Sequence, residues 1–223
     1  CLELMKSIPD GSVDMVLADP PYGTTACKWD SIIDLPLMWE QLKRVIKPNG
    51  AIVMTASQPF TTTLISSNMK MFKYCWVWEK TKKTGHVHSK NKPMKKHEDV
   101  CVFSKGVTSH IGQSVNRMPY NPQGLERLKT PKLRKEGGES EAVMGYRPSN
   151  KDTLQEYTNY PSSILKAASE GKTVHPTQKP VELMEYLIKT YTNEDDTVLD
   201  FAMGSGTTGV ACKKLGRSFI GME

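Results

Sequence analysis

Asp19-Pro20-Pro21-Tyr22 sets an acid, two prolines and an aromatic ring side by side at the end of the apolar run Val13-Asp14-Met15-Val16-Leu17-Ala18. The run reads as a buried strand, and the prolines stop the ladder and hold the backbone extended or turned. A carboxylate, a carbonyl without helical partners and an aromatic face are thereby held at a strand's C-terminal edge, where open α/β sheets bind ligands. Such a site suits a planar ring with an exocyclic amine. Tyr22 would stack on the ring, while Asp19 and the Pro20 carbonyl would accept the two N–H bonds and leave the lone pair aimed at an electrophile.

A second chemical stretch lies near the C-terminus. Thr197-Val198-Leu199-Asp200-Phe201 predicts a strand, and Ala202-Met203-Gly204-Ser205-Gly206-Thr207-Thr208-Gly209 a glycine-rich turn that enters a helix. Glycines allow close backbone approach to a ligand, and an acid after the following strand, here Glu223, can chelate ribose hydroxyls. Read alone, Gly204-x-Gly206-x-x-Gly209 is the dinucleotide fingerprint, which leaves a nicotinamide-dependent oxidoreductase as a rival. A third stretch, Lys172-Thr173-Val174-His175-Pro176-Thr177-Gln178-Lys179-Pro180, leads into a helix to about residue 190. Thr177 can cap it, Pro180 suits its first turn, and Lys179 with the helix N-terminus makes an anion site.

The elements that must position these groups alternate. A short helix is expected over 2–8, then the catalytic strand and a loop over 24–33 in which Trp29 either stacks on a base or packs beneath the loop. Asp34 caps a helix with Pro36 in its first turn, its apolar face Leu37, Trp39, Leu42, Val45 and Ile46, stopped by Pro48-Asn49-Gly50. A strand over 51–55, a helix over 59–68 and strands over 72–78 and 98–103 follow, the last antiparallel to its neighbour. Strand–helix–strand alternation predicts a mainly parallel sheet covered on both faces.

Two stretches break this pattern. Residues 80–97 carry seven lysines, three histidines and no acid, which reads as a basic loop able to contact phosphates. Lys82, Lys83, Lys90, Lys92, Lys95 and Lys96 are its candidate phosphate contacts. His86, His88 and His97 lack a completing Cys or acid, so no metal site is expected. From 106 to 171 the hydrophobic periodicity dissolves into Pro, Gly, Asn, Ser and charge. Arg117 and Arg127 are the candidate contacts there, with Lys129, Lys132, Arg134 and Lys135 scattered among Tyr120, Tyr146, Tyr157 and Tyr160; a poorly ordered polar insertion describes it equally well.

Taken together, Asp-Pro-Pro-Tyr, His-Pro-Thr-Gln-Lys-Pro and Asp-Phe-x-Gly-x-Gly resemble the motifs of the DNA amino-methyltransferases. Their order, catalytic motif before cofactor motif, resembles the permuted β-class of adenine N6-methyltransferases. The resemblance spans the chain apart from the insertion. It implies a doubly wound Rossmann-like α/β methyltransferase sheet, mostly parallel with one antiparallel strand, plus a small irregular insertion. It divides the chain into a catalytic half (1–105), a target-recognition insertion (106–171) and a cofactor-binding half (172–223). It implies S-adenosylmethionine as cofactor, held by Asp19, Thr177, Lys179, Asp200, Phe201, Ala202, Gly204, Ser205, Gly206, Thr207 and Glu223. Catalysis falls to Asp19, Pro20, Pro21 and Tyr22.

Double-stranded DNA is the implied partner, its target base flipped from the stack. A homodimer and a separate restriction endonuclease are both compatible with the resemblance. Asp at the first motif position is usual for adenine enzymes, with N4-cytosine methylation as the alternative and an inactive DNA-binding relative as the non-enzyme reading. No Pro-Cys occurs, which argues against methylation of a ring carbon. The resemblance also implies a strand ending in Gly-Asp-Cys just before Leu2, outside this chain, whose ends read as cut.

Bulk properties agree. The 223 residues suit one domain with an insertion, and the net charge of +6 suits a polyanion. Five cysteines without a CxxC pair and no long apolar run point to a cytoplasmic protein off the membrane.

Overall fold

The structure, a computed structural model, describes residues 1–27, 30–108, 116–134, 153–168 and 178–223. It divides into two compact units, residues 1–121 with 163–223, and residues 122–162.

The larger unit is a seven-stranded sheet with helices. In chain order its elements are α1 (Leu2–Met5), β1 (Val13–Ala18), α2 (Leu35–Val45), β2 (Ile46–Ala56), α3 (Phe60–Ser67), β3 (Phe72–Thr84) and β4 (Lys95–Phe103). Strands β5 (Glu126–Arg134) and β6 (Thr153–Thr158) form the other unit. Then come β7 (Ile164–Lys166), α4 (Val181–Tyr191), β8 (Thr197–Asp200), α5 (Thr207–Leu215) and β9 (Ser218–Gly221). The spatial order is β7-β3-β4-β2-β1-β8-β9. Neighbours are parallel except where β4 runs antiparallel to both β2 and β3. The expected sheet, mostly parallel with one antiparallel strand, is the observed one.

The central strands are apolar on both faces because helices cover both. Met15, Val16, Leu17, Ala18, Ile52, Val53, Met54, Val198 and Leu199 are all fully buried. One face packs on α2 and α3 through Met38, Trp39, Leu42, Phe60 and Leu64. The other packs on α4 and α5 through Leu183, Leu187, Ile188, Tyr191 and Ala211. At roughly 25 cal/mol per Å² of apolar surface removed from water, these two layers are the main source of stability. Helix α2 starts as its sequence requires: Asp34 accepts the Leu37 N–H at 3.0 Å and Pro36 lies in the first turn.

Three local expectations are corrected. Pro48-Asn49-Gly50 is not a loop between helix and strand but part of β2, where it forms an irregularity: Val13 pairs with Ile46 and Met15 with Ala51. A Cβ on Gly50 would lie 2.6 Å from the Asp14 carbonyl, so β1 and β2 approach closely only because residue 50 is glycine. Residues 80–97 are not one loop. Strand β3 runs on to Thr84 and β4 begins at Lys95, with a 3-10 turn over His86–His88 at the tip. Cross-strand ion pairs Lys80–Glu98 (2.9 Å) and Lys96–Glu79 (2.6 Å) replace the apolar alternation that a pattern search needs. The third is the insertion, which contains the two-stranded β5–β6 ribbon and the sheet strand β7.

Candidate active site

Parallel pairing of β1 with β8 (Met15 opposite Val198, Val16 opposite Leu199) brings the C-terminal ends of both strands to one edge of the sheet. The Asp-Pro-Pro-Tyr turn and the glycine-rich turn therefore open side by side, although some 180 residues separate them in sequence.

Asp19 is held from several directions. Its Oδ1 accepts the Tyr22 hydroxyl at 2.7 Å and also the hydroxyl of Thr55 from β2. Its Oδ2 lies 3.0 Å from Nζ of Lys179, the residue two before α4. Lys179 is itself buried and sits 5.4 Å from the centre of the Tyr22 ring. The Tyr22 ring stacks on Phe60 of α3, with centroids 5.4 Å apart and 22° between planes. Burial first, then the charges of Asp19 and Glu98, push the Tyr22 phenol well above its ordinary range, so it stays a neutral donor to Asp19.

The turn after Tyr22 is shaped by a residue that sequence reasoning missed. Buried Asp30 accepts four successive backbone N–H groups: Tyr22 (2.8 Å), Gly23 (2.9 Å), Thr24 (2.9 Å) and Thr25 (2.7 Å). Burial alone would raise its carboxyl, but the hydrogen bonds from Thr25, Gly23 and Thr24 outweigh it and hold the group below the usual carboxylate range. No motif signals this role, because an acid eleven residues after Asp19 in a polar loop has no distinguishing pattern. Thr55 and Glu98 were missed for the same reason, being ordinary positions on predicted strands.

The second turn is organised by Asp200. Its carboxylate accepts the Ala202 N–H at 3.1 Å and the Thr208 hydroxyl at 2.6 Å, tying the strand end to the first turn of α5. Burial pushes its carboxyl up to about 7, those two bonds oppose the shift, and the charges of Asp19 and Glu223 add to it. Gly206 has φ of 73° and immediately precedes α5, while Ser205 and Thr207 share a hydroxyl contact of 3.0 Å. A Cβ built on Gly204 or Gly206 meets nothing within 4 Å, so the turn offers bare backbone to open space. Glu223 Oε2 accepts the Gly204 N–H at 2.7 Å, closing the turn from the far side of β9.

The predicted residues thus fall into groups. Asp19, Pro20, Pro21, Tyr22 and Lys179 lie together; Asp200, Ala202, Gly204, Ser205, Gly206, Thr207 and Glu223 form the adjoining turn. Phe201 is wholly buried in the core, packed in the cluster that includes Met5, Phe60 and Met222. Thr177 and Trp29 lie outside the described residues, as do Lys135 and Tyr146. Lys82, Lys83, Lys90 and Lys92 are exposed along the β3–β4 hairpin. Lys95 is half-buried, and its burial pulls the ammonium below its usual range; Lys96 is engaged with Glu79. Arg117 is exposed in the larger unit, and Arg127 is exposed on the β5–β6 ribbon opposite Tyr157. Among the described residues no group of three His, Cys, Asp or Glu side chains could hold a metal, and no helix is long and apolar enough to cross a membrane.

This architecture is shared with solved methyltransferases. M1.HpyAVI in complex with SAM superposes with a TM-score of 0.61 at 26% identity, over 99% of this chain and 88% of its own. The PvuII DNA methyltransferase, named as cytosine-N4-specific, gives 0.68 at 16% identity over 100% and 78%. The fold is therefore that of the S-adenosylmethionine-dependent methyltransferases.

The family described as DNA methylase, the N6/N4 methyltransferases, matches residues 13–223, and the chain belongs to it. Type II methyltransferase M1.MboII of Moraxella bovis is 29% identical over 238 residues, covering 100% of this chain and 88% of its own length. M.HpaI of Haemophilus parainfluenzae is 26% identical over 235 residues, covering 100% and 67%. Membership sets aside the nicotinamide-dependent alternative that the glycine pattern alone left open.

The residues present fit the cofactor. The N-terminus of α5 suits the polar, partly anionic amino-acid end, and Glu223, one of whose carboxylate oxygens holds the Gly204 N–H, suits ribose hydroxyls through the other.

Proposed function

We propose that this protein methylates the N6 amine of adenine in double-stranded DNA, as a β-class enzyme with permuted motif order. The observation that carries the reading is the Asp19 carboxylate held between Tyr22, Thr55 and Lys179 at the same sheet edge as the glycine-rich turn. S-adenosylmethionine supplies a sulfonium-activated methyl group. The chain's part is to present a nucleophile to it in line.

Asp19 orients the amine by accepting one N–H, and the Pro20 carbonyl accepts the other. Asp19 need not be a strong base, because the amine proton becomes acidic only as the new bond forms. Tyr22 supplies the stacking face for a base taken out of the duplex. Asp200, Ala202, Gly204, Ser205, Gly206, Thr207 and Glu223 would hold the cofactor, with Lys179 and Thr177 at its amino-acid end. The exposed lysines of the β3–β4 hairpin and Arg117 and Arg127 would contact phosphates or bases, and the segment 106–171 would select the target. Adenine is favoured by Asp at the first motif position, which is an argument from family analogy.

The test is product analysis. Unmethylated DNA is incubated with labelled S-adenosylmethionine, digested to nucleosides and read by mass spectrometry. N6-methyladenine is the expected product; N4-methylcytosine would keep the mechanism and replace the base, and an unlabelled digest would overturn DNA as substrate. Asp19→Ala is expected to abolish turnover, a loss of at least about 100-fold, with DNA affinity retained in a gel-shift assay.

A further inference from the structure

Four charged side chains form an alternating row leading away from the proposed methyl-transfer site. Lys179 Nζ lies 3.0 Å from Asp19 Oδ2 and 3.1 Å from Glu98 Oε2, and Lys80 Nζ donates to Glu98 Oε1 at 2.9 Å. The side chains of Lys179, Glu98 and Lys80 are only 9%, 13% and 11% exposed, so the row is largely withdrawn from water. Its formal charges sum to zero. Glu98 Oε2 accepts no well-aligned hydrogen bond from the described residues, so its hold on Lys179 is chiefly that of charge on charge. The sheet explains the placement. Glu98 pairs across β4 and β3 with Trp78, and Lys80 is two residues further on the same face, diagonal to Glu98.

We infer that Glu98 is a positioning residue for methyl transfer, sharing the Lys179 ammonium with Asp19 so that Asp19 stays oriented yet free to accept the target amine. This rests on the methyl-transfer reading given above. A buried Lys179 with Asp19 as its sole counter-charge would lock the two into an exclusive pair, since attraction at about 3 Å is strong where water is excluded. A second carboxylate at a similar distance, that of Glu98, divides that attraction. Lys80 in turn compensates Glu98, so that the divided pair leaves no net charge in the sheet.

A buried ion row can also be purely structural, and the pH profile separates the two roles. Lys179 is faced by Asp19 and Tyr22 after β1 and by Glu98 and Lys95 from β4, and Glu98 in turn holds Lys80 of β3. Burial lowers the Lys179 pKa, and the charges of Asp19 and Glu98 outweigh it and leave it raised. Removing Glu98 withdraws one raising charge while the burial persists. Lys179 then releases its proton at lower pH, and the alkaline limb of activity follows.

The experiment is a kcat-against-pH profile at saturating cofactor and DNA for the wild type, Glu98→Gln and Glu98→Asp. In Glu98→Gln, kcat is expected to fall by about 10- to 100-fold, as for a misplaced catalytic group. KM for both substrates should stay within about threefold, and the alkaline limb should move down by about one pH unit. Glu98→Asp should lie between. Should Glu98→Gln fail to fold, the double variant Glu98→Gln/Lys80→Gln, which keeps the cluster neutral, is expected to show the same displaced limb. An unmoved alkaline limb in these variants, with or without loss of kcat, overturns the inference while Asp19→Ala remains inactive and the wild type active. A wild type that transfers no methyl to DNA overturns the underlying reading and the inference with it.

Discussion

Asp200 shows how one buried side chain can leave a trace on the stability of the whole protein. Its carboxyl titrates near 7 in the fold, largely through burial, against 3.8 for an ordinary aspartate. A raised carboxyl favours the folded state fully below the unfolded value, and that contribution is lost as pH rises through the folded value. Asp200 therefore lowers stability progressively between about pH 4 and pH 7, by at most about 4 kcal/mol. In Asp200→Asn the amide can still accept from Ala202 and face Thr208, and the pH-dependent loss disappears. Urea midpoints at pH 5 and pH 8 check this: they should converge in the variant relative to the wild type. Asp30 has the opposite sign. Its lowered carboxyl contributes stability above the ordinary carboxylate range, and the contribution is lost as pH falls through its folded value. Asp30→Ala leaves four N–H groups without their acceptor, and is expected to cost about 1–3 kcal/mol in denaturant titration and to lower kcat by releasing Tyr22.

At the scale of elements, the closing contact of the glycine-rich turn is between β9 and the loop after β8. A Cβ on Gly221 would lie 2.6 Å from Met203 Sδ and 2.6 Å from the Phe219 ring. Gly221→Ala must push Met203 or Phe219 aside, and Met203 belongs to the turn that carries Gly204. Overpacking of this kind typically costs about 1–3 kcal/mol. Cofactor affinity is expected to fall by about tenfold in calorimetry, because backbone groups that must touch a ligand tolerate little displacement. The β3–β4 hairpin is the other element with two duties. Its base carries Lys80 and Glu98, which belong to the buried charge row, and its outer part carries the exposed lysines. A lysine run in sequence thus divides by burial into groups that face inward and groups exposed to solvent.

For the molecule as a whole, the prediction concerns salt. If Lys82, Lys83, Lys90 and Lys92 each neutralise a phosphate, replacing all four by glutamine reduces the slope of log affinity against log salt by up to about 3.6, at about 0.9 per contact. Fluorescence anisotropy on a DNA duplex at several salt concentrations measures this slope, and an unchanged slope would remove the hairpin from the interface.

What depends on local order follows from the residues alone. Strand β1 ends where two prolines make it end, α2 begins where Asp34 caps it, and the glycine-rich turn is marked by residues that alone tolerate its backbone. The apolar runs of β1, β2 and β8 required a sheet covered on both faces, and three spaced motifs pointed to the family that the profile match then showed. Tertiary structure decided the rest. The extended β3–β4 hairpin, the four-fold acceptor role of Asp30, the Thr55 contact to Asp19 and the row from Asp19 to Lys80 all join residues that no periodicity connects. Charge pairs and backbone-to-carboxylate bonds are satisfied in three dimensions. They leave no repeat along the chain, because their partners are chosen by sheet order and burial and not by spacing.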